Sequence, residues 1–286
     1  MSYKYSGIDI SKWQDPKKVD WEGLARQHDF TVIRACYGVK SDWAFAEHFK
    51  NARDNHVLAG AYLFYRQIQG WEEQYEAFKG ELDRVGFGEG DILPVVDLEW
   101  NEANDGKVDP AKFNDGARKL VEKLAETYGG CIIYLAPGFY ETLKKPAWLL
   151  EHPWWIAHYG VDKPWCPWKK WIIWQYTGKG TSMAYPNGVD LSWSDVLPPV
   201  VDLVPDIVDH EIPDIAEHEP YEGIEDPYER DAPEKPEPGY PPAQDEAVVP
   251  PGEEQPAVPD TRLARRGWID RLLDWLKLWL LSRNGS

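Results

Sequence analysis

The sequence predicts an α/β protein whose strands and helices close into an irregular (β/α) barrel of the TIM type. Strand and helix signals alternate from residue 6 to residue 191, a span near the lower end of the size range for such barrels. Polar side chains recur at the ends of the predicted strands. Residues 92–100 read as a buried strand that carries two acids at its far end. These observations together favour a barrel with a polar site at one end.

Eight apolar runs are predicted as strands, at residues 6–10, 31–37, 58–65, 92–100, 131–136, 154–159, 171–177 and 188–191. Helices are predicted at residues 20–28, 42–55, 71–85 and 109–128. Asp20 and Asp42 are the expected N-caps of the first two helices, and Pro110 lies in the first turn of the fourth. The later connections are too short for full helices, so the second half of the barrel should be irregular.

The net charge of −18 is distributed unevenly along the 286 residues. Residues 201–261 hold 19 acids against two basic residues, whereas residues 262–286 hold six basic residues against two acids. The first 200 residues are only mildly acidic, and no basic face argues for a nucleic-acid partner. The chain has 43% apolar residues, 16 Trp and 15 Tyr, which is enough for a core and for rings that stack on sugars.

Composition divides the chain into three parts. Residues 1–197 form the predicted barrel, residues 198–261 an acidic, Pro-rich linker, and residues 262–286 a C-terminal amphipathic helix. The linker has too few large apolar residues to offset its ordering entropy, so we expect a disordered, self-repelling spacer. Only its first apolar residues, at 200–204 and 207–208, are candidates for packing on the barrel.

Residues 263–281 repeat large apolar side chains at helical spacing, interrupted by charged groups. A helix of this length would approach the thickness of a bilayer core. A span is unfavourable, however, because it would place charged side chains in the middle of the membrane. We expect it to lie in the interface of an anionic membrane, and docking on the barrel or self-association is the alternative. Its apolar face comprises Trp268, Ile269, Leu272, Leu273, Leu276, Trp279 and Leu280.

The three cysteines, Cys36, Cys131 and Cys166, have no metal-binding spacing and are expected to be free thiols rather than a disulfide framework. No cofactor or metal is expected. The N-terminus shows no apolar secretory segment, so we expect synthesis in the cytoplasm of the producing cell, with any extracellular target reached after release. The protein is expected to be a monomer.

The candidate site centres on Asp97 and Glu99, which share one face of their predicted strand because side chains alternate along a strand. Two neighbouring carboxyls in an apolar strand favour a protonated form of one of them, as a glycosidase needs in its proton donor. A pair of acids entering a solvated loop is the structural alternative. Polar residues at or near the ends of the predicted strands extend the site: Asp9, Arg34, Tyr62, Tyr134, Gln175 and Asp190.

Five motifs occur in order along the chain. They are Gly7-Ile8-Asp9-Ile10-Ser11 with Trp13-Gln14, Val95-Val96-Asp97-Leu98-Glu99, Trp155-Ile156-Ala157-His158-Tyr159, Trp174-Gln175-Tyr176-Thr177 and Gly188-Val189-Asp190-Leu191. Together they resemble the glycoside hydrolase family 25 lysozymes, which are Chalaropsis-type muramidases common among phage endolysins. The resemblance spans about residues 5–195 and implies an irregular barrel that cleaves the β-1,4 bond between N-acetylmuramic acid and N-acetylglucosamine in peptidoglycan. It places the catalytic pair on Asp97 and Glu99 and two further groove acids on Asp9 and Asp190.

The resemblance assigns the general acid to Glu99 and, to Asp97, the orientation of the substrate's own acetamido group for attack on C1. Inversion through an activated water remains the alternative. Tyr37 and Trp174 complete the predicted substrate-binding set. The sequence departs from the family at Cys36-Tyr37-Gly38 and at Tyr62-Leu63-Phe64, where Thr-Glu-Gly and Tyr-His-Phe are frequent, which affects substrate preference.

Two other functions are alternatives to peptidoglycan cleavage. A chitinase of the family 18 type would need acids at positions 92 and 95, where this chain has Ile92 and Val95. A barrel that only binds glycan, without catalysis, is the non-enzymatic alternative. The presence of all four groove acids argues for the enzyme.

Overall fold

The computed structural model describes residues 3–166, 171–186 and 188–202. Within them, β1 pairs with both β2 and β9, so that eight strands close into a barrel and the short β3 is attached to β2. This result confirms the predicted mixed α/β barrel. The strands are β1 Tyr5–Ile10, β2 Phe30–Tyr37, β3 Lys40–Ser41, β4 Leu58–Phe64, β5 Val95–Asp97, β6 Ile132–Leu135, β7 Trp154–Ala157, β8 Trp171–Gly180 and β9 Val189–Ser194.

One strand of the barrel runs against the others. From β1 through β8 the barrel strands pair in parallel, whereas β9 pairs antiparallel with both β1 and β8. Long helices fill the connections of the first half only, and this confirms the predicted irregular second half. The helices are α1 Trp21–Gln27, α2 Phe45–Asp54, α3 Trp71–Arg84, α4 Glu102–Asp105, α5 Pro110–Tyr128 and α6 Pro137–Thr142, with 3₁₀ turns at Pro16–Lys18 and Ala147–Glu151.

Two helices begin as their sequences predict. The Asp20 carboxylate accepts a hydrogen bond from the Gly23 N–H at the start of α1. Asp109 accepts hydrogen bonds from two N–H groups in the first turn of α5. Pro110, at the first position of the helix, has no N–H that would need an acceptor. The helix α5 ends at Tyr128. Its C-cap, Gly129, has a left-handed φ of 76°, which glycine readily adopts.

The prediction that Asp42 caps the second helix is wrong. The helix α2 begins at Phe45, and its N-cap, Ala44, makes no side-chain cap bond. Asp42 lies two residues earlier, where its carboxylate accepts a hydrogen bond from Arg34 Nε at 2.9 Å. The same carboxylate also accepts from the Ala44 N–H at 3.1 Å, so Asp42 makes a local hydrogen bond before the helix as well as an ion pair with a residue of β2, but it is not the N-cap of α2.

The central strand β5 is shorter than its apolar run suggests. Only Val95–Asp97 belong to the ladder, because Pro94 has no N–H to extend it backwards. Ile92 instead forms an isolated antiparallel bridge with Val200. Glu99 consequently lies just beyond the strand rather than within it.

The first residues after the predicted barrel boundary pack on the barrel. Val201 is buried, and its N–H donates to Asp91 O at 2.8 Å. Together with the bridge from Val200 to Ile92, this contact covers the segment that leads into β5. The remainder of the predicted linker, from residue 203, and the predicted helix at 262–286 lie outside the described residues.

The core consists of side chains from both faces of the strands and from the apolar faces of the helices, with fully buried side chains such as Phe30, Phe78 and Phe113. Cys36, Cys131 and Cys166 are not joined in disulfides, and the first two are buried. Among the described residues, no helix is long and apolar enough to cross a membrane.

Candidate active site

Asp9 and Asp190 face each other across two neighbouring strands. Asp9 lies near the end of β1, Asp190 lies near the start of β9, and they are partners in the antiparallel ladder. Their side chains are hydrogen-bonded to each other. The prediction that Asp190 lies near the end of its strand is wrong, because β9 runs against β1. Its side chain nevertheless reaches the barrel end at which the parallel strands finish.

Gln175 of β8 joins the acids to two tyrosines. Its Nε2 donates to Asp9 Oδ2 at 2.7 Å, and its Oε1 accepts from the Tyr134 hydroxyl at 2.9 Å. The Tyr159 hydroxyl donates to the same Oε1. Because one amide satisfies three polar groups in a largely buried setting, it fixes the orientation of Asp9.

Asp97 and Glu99 form the second pair of acids. Asp97 ends β5 and is buried, Glu99 is half-buried, and their carboxyl groups share a hydrogen bond. Asp97 Oδ1 is buried with no hydrogen-bond partner among the described residues. A buried carboxylate oxygen without a partner is costly, so a ligand that donates a hydrogen bond there would be stabilised.

The four acids form one electrostatic cluster. Burial, and then the charge of Glu99, raises the pKa of Asp97 well above its usual range. Burial raises the pKa of Glu99 to about 7, a shift that the hydrogen bond from Asp97 opposes and the charge of Asp190 supports. Burial and the charge of Asp190 likewise raise the pKa of Asp9 well above its usual range. The cluster therefore retains protons at neutral pH, as a general acid requires.

Arg34 supplies the positive charge beside the acids. Its side chain is almost buried and forms an ion pair with Asp42 at 2.9 Å. Burial alone would lower the pKa of Arg34, but Tyr62, Asp42 and Asp97 raise it overall, so the guanidinium stays protonated. Its charge lowers the pKa values of Asp97 and Glu99, which limits the rise that burial causes.

Tyr62 and Tyr134 lie on strands that flank Asp97. Tyr62 of β4 is the ladder partner of Arg34, and burial raises the pKa of its hydroxyl well above the usual range. Tyr134 of β6 is the ladder partner of Asp97. Both tyrosines therefore belong to the site, and Tyr134 has a hydrogen-bonding role as well as a packing one.

Tyr37 and Trp174 are not brought to the four acids. Tyr37 ends β2, where its ring contacts Phe64 and its hydroxyl accepts from Asn104 Nδ2. Trp174 precedes Gln175, so it points to the opposite face of β8, where its Nε1 donates to His158 O at 2.7 Å. It lines a cavity of about 650 Å³ on that face.

Sequence reasoning missed the roles of Asp42 and Tyr159. Asp42 is predicted only as a helix cap, and only the position of Arg34 reveals its second use. Tyr159 is the last residue of the predicted strand at 154–159, and that position is the signal for its contact with Gln175. Within the described parts of the chain, no group of three or more His, Cys, Asp or Glu side chains could hold a metal ion.

A family model, that of the glycosyl hydrolases family 25, matches residues 8–184 and so includes Asp9, Asp97 and Glu99. The chain belongs to this family. Family 25 membership makes it a glycosyl hydrolase, and the acid cluster lies at the barrel end where β/α barrels hold their active sites.

Among similar proteins, the uncharacterized protein YegX of Escherichia coli K12 is 30% identical over 199 residues, which cover 67% of this chain and 70% of YegX. Lysozyme M1 of Streptomyces globisporus is 25% identical over 197 residues, which cover 64% of this chain and 65% of that lysozyme.

Solved structures share the fold. The bacterial lysozyme of Streptomyces coelicolor superposes with a TM-score of 0.61 at 21% identity, covering 68% of this chain and 94% of that one. The catalytic domain of endolysin ply40, from a bacteriophage of Listeria monocytogenes, gives 0.55 at 24% identity, covering 68% and 95%.

Proposed function

We propose that this glycosyl hydrolase is an N-acetylmuramidase, a lysozyme that cleaves the β-1,4 bond between N-acetylmuramic acid and N-acetylglucosamine in peptidoglycan. One observation carries the proposal: Asp97 and Glu99 share a hydrogen bond at the site, and burial raises the pKa of Glu99 to about 7. The resemblance to Lysozyme M1 supports the choice of substrate.

In the proposed reaction, Glu99 donates its proton to the glycosidic oxygen as the bond from that oxygen to C1 breaks. The carbonyl oxygen of the substrate's own 2-acetamido group attacks C1, and the resulting cyclic intermediate conserves the anomeric configuration once water opens it. Glu99, now a carboxylate, takes the proton from that water and is restored.

Asp97 would orient the acetamido group. Its buried Oδ1, which has no partner among the described residues, is an acceptor for the acetamide N–H. That hydrogen bond favours the ionised form of Asp97 and shifts the shared proton toward Glu99, where the reaction needs it. The direct bond between the two carboxyls argues against inversion by this pair, since inverting pairs stand roughly 6.5–9.5 Å apart to admit a water.

Replacement of Glu99 by glutamine tests this assignment. Glu99→Gln should lower the rate of peptidoglycan solubilisation about 10²- to 10⁴-fold, because general acid catalysis contributes that much. Glu102→Gln, which alters an exposed acid three residues away, is the matched control and should retain full activity. Equal activity of the two variants would remove Glu99 from its role.

We further propose a bacteriolytic role of the endolysin type, in which a monomer made in the cytoplasm acts on the cell wall after release. The sequence of residues 263–281 supports contact with an anionic membrane through Trp and Leu side chains and the basic residues beside them. Truncation after Pro259 should leave hydrolysis of purified peptidoglycan intact but lower binding to anionic vesicles. Equal vesicle binding, or loss of hydrolysis, would favour docking of this segment on the barrel.

A further inference from the structure

Two tryptophans at one end of the barrel are the most exposed aromatic side chains in the described part of the chain. Trp13 follows β1 and is 53% exposed, while Trp43 follows β3 and is 62% exposed, the highest values for aromatic residues in the described part of the chain. Exposed indole rings are costly in water, so such rings on a rigid support indicate a binding surface.

The backbone that carries Trp13 is held on both sides. The Ser11 N–H donates to Gln14 Oε1 at 3.0 Å, and the Gln14 N–H donates to Ser11 O at 3.0 Å. The buried His48 ring bonds through Nε2 to Gln14 O at 2.8 Å. Trp13 thus lies in a tightly bonded turn that leaves its own side chain in solvent.

Asp42 fixes Trp43 and connects it to the first turn. Asp42 and Ala44, on either side of Trp43, are buried, and Asp42 Oδ1 accepts from the Ala44 N–H at 3.1 Å. Its other oxygen accepts from the Lys12 N–H at 3.0 Å. One buried carboxylate therefore holds the residue before Trp13 and the residue after Trp43.

The same carboxylate connects the two tryptophans to the acid site. Asp42 forms the ion pair with Arg34, whose charge acts on Asp97. Trp13 follows Asp9 by four residues, beyond the end of β1. The two rings therefore stand on neighbouring connections at the barrel end that holds the acids.

We propose that Trp13 and Trp43 form a preorganised stacking surface for hexosamine rings of the glycan strand, on either side of the cleaved bond or beyond it. This inference rests on the proposed function. Indole faces pack against the apolar C–H faces of sugars, and a rigid backbone reduces the entropy lost on binding. The Lys12 ammonium, 5.3 Å from the centre of the Trp13 ring, suits the anionic substituents of such a strand.

Binding can be measured apart from catalysis. In the Glu99→Gln background, calorimetry with a tetrasaccharide of alternating N-acetylglucosamine and N-acetylmuramic acid should give a Kd that rises about three- to tenfold in Trp13→Ala and in Trp43→Ala. Met183→Ala, which removes an exposed side chain beside Gln27 at the end of α1, is the control and should leave Kd unchanged.

Unchanged Kd in both Trp variants would overturn the inference, even if the wild-type protein hydrolyses peptidoglycan. Loss of a dimer in the variants, seen by sedimentation, would overturn it in favour of contact between two copies. Failure of the wild-type protein to solubilise peptidoglycan would instead refute the proposed function, since the Kd comparison needs no turnover. Asp42→Asn should weaken binding as much as the two Trp variants combined, provided that near-ultraviolet circular dichroism shows a native fold.

Discussion

Replacement of Gln175 by leucine should destabilise the barrel and disturb the acids together. The Gln175 amide bonds Asp9 Oδ2 and the hydroxyls of Tyr134 and Tyr159. Each buried group that loses a partner costs about 1–3 kcal/mol. Tyr159 is 37% exposed, so water can replace its partner, and the low end applies to Asp9, which keeps its bond to Asp190, and to the Tyr134 hydroxyl, which can rotate. We expect Gln175→Leu to lower the free energy of unfolding by about 2 kcal/mol.

Urea unfolding followed by tryptophan fluorescence at pH 7 measures this change. Gln69→Leu is the control, because its hydrogen bond to the Val39 N–H is exposed and its loss should cost little. A second variant, Gln175→Glu, keeps an acceptor for the hydroxyls but cannot donate to Asp9 when ionised. Its stability should recover as pH falls and the introduced carboxyl gains a proton. A Leu variant within about 0.5 kcal/mol of the wild type would refute the reasoning.

Three further predictions concern ionisable side chains. The specificity constant kcat/KM should fall as pH rises through about 7, because Glu99 acts in its protonated form. A flat pH profile of kcat/KM from pH 6 to 8 would contradict this. Burial lowers the pKa of His28 to about 4, so its unfolded form binds the proton first and stability should fall by up to about 3 kcal/mol between pH 6.5 and 4. Chemical unfolding of His28→Asn should show a flatter pH dependence, and an identical slope would exclude His28. Arg34→Met should cost about 3–5 kcal/mol at pH 7, measured by urea unfolding, since it leaves Asp42 buried without its cation, and a loss below about 1 kcal/mol would contradict this.

The convergence of the acids was predictable because parallel strands finish at the same barrel end. Asp9 lies near the end of β1 and Asp97 ends β5, so the parallel direction of the strands and their side-chain alternation bring the two acids near each other. The N-caps at Asp20 and Asp109 were predictable for a similar reason, since the bonds that they make are local in sequence.

Features that depend on distant partners were not predictable. The use of Asp42 depends on Arg34 and on the Lys12 N–H, and neither is adjacent to it in the sequence. The antiparallel direction of β9 follows from a connection too short to cross the barrel. Trp174 lies within a family motif, but its neighbour Gln175 takes the inward face, so the ring must point outward.

Analysis of the reaction products tests the central claim most directly. Purified peptidoglycan digested by the wild-type protein should yield muropeptides whose reducing ends are N-acetylmuramic acid, identified by borohydride reduction and mass spectrometry. The same digest with Glu99→Gln should yield almost none. Products with reducing N-acetylglucosamine ends, or intact glycan strands with released peptides, would contradict the assignment of a muramidase.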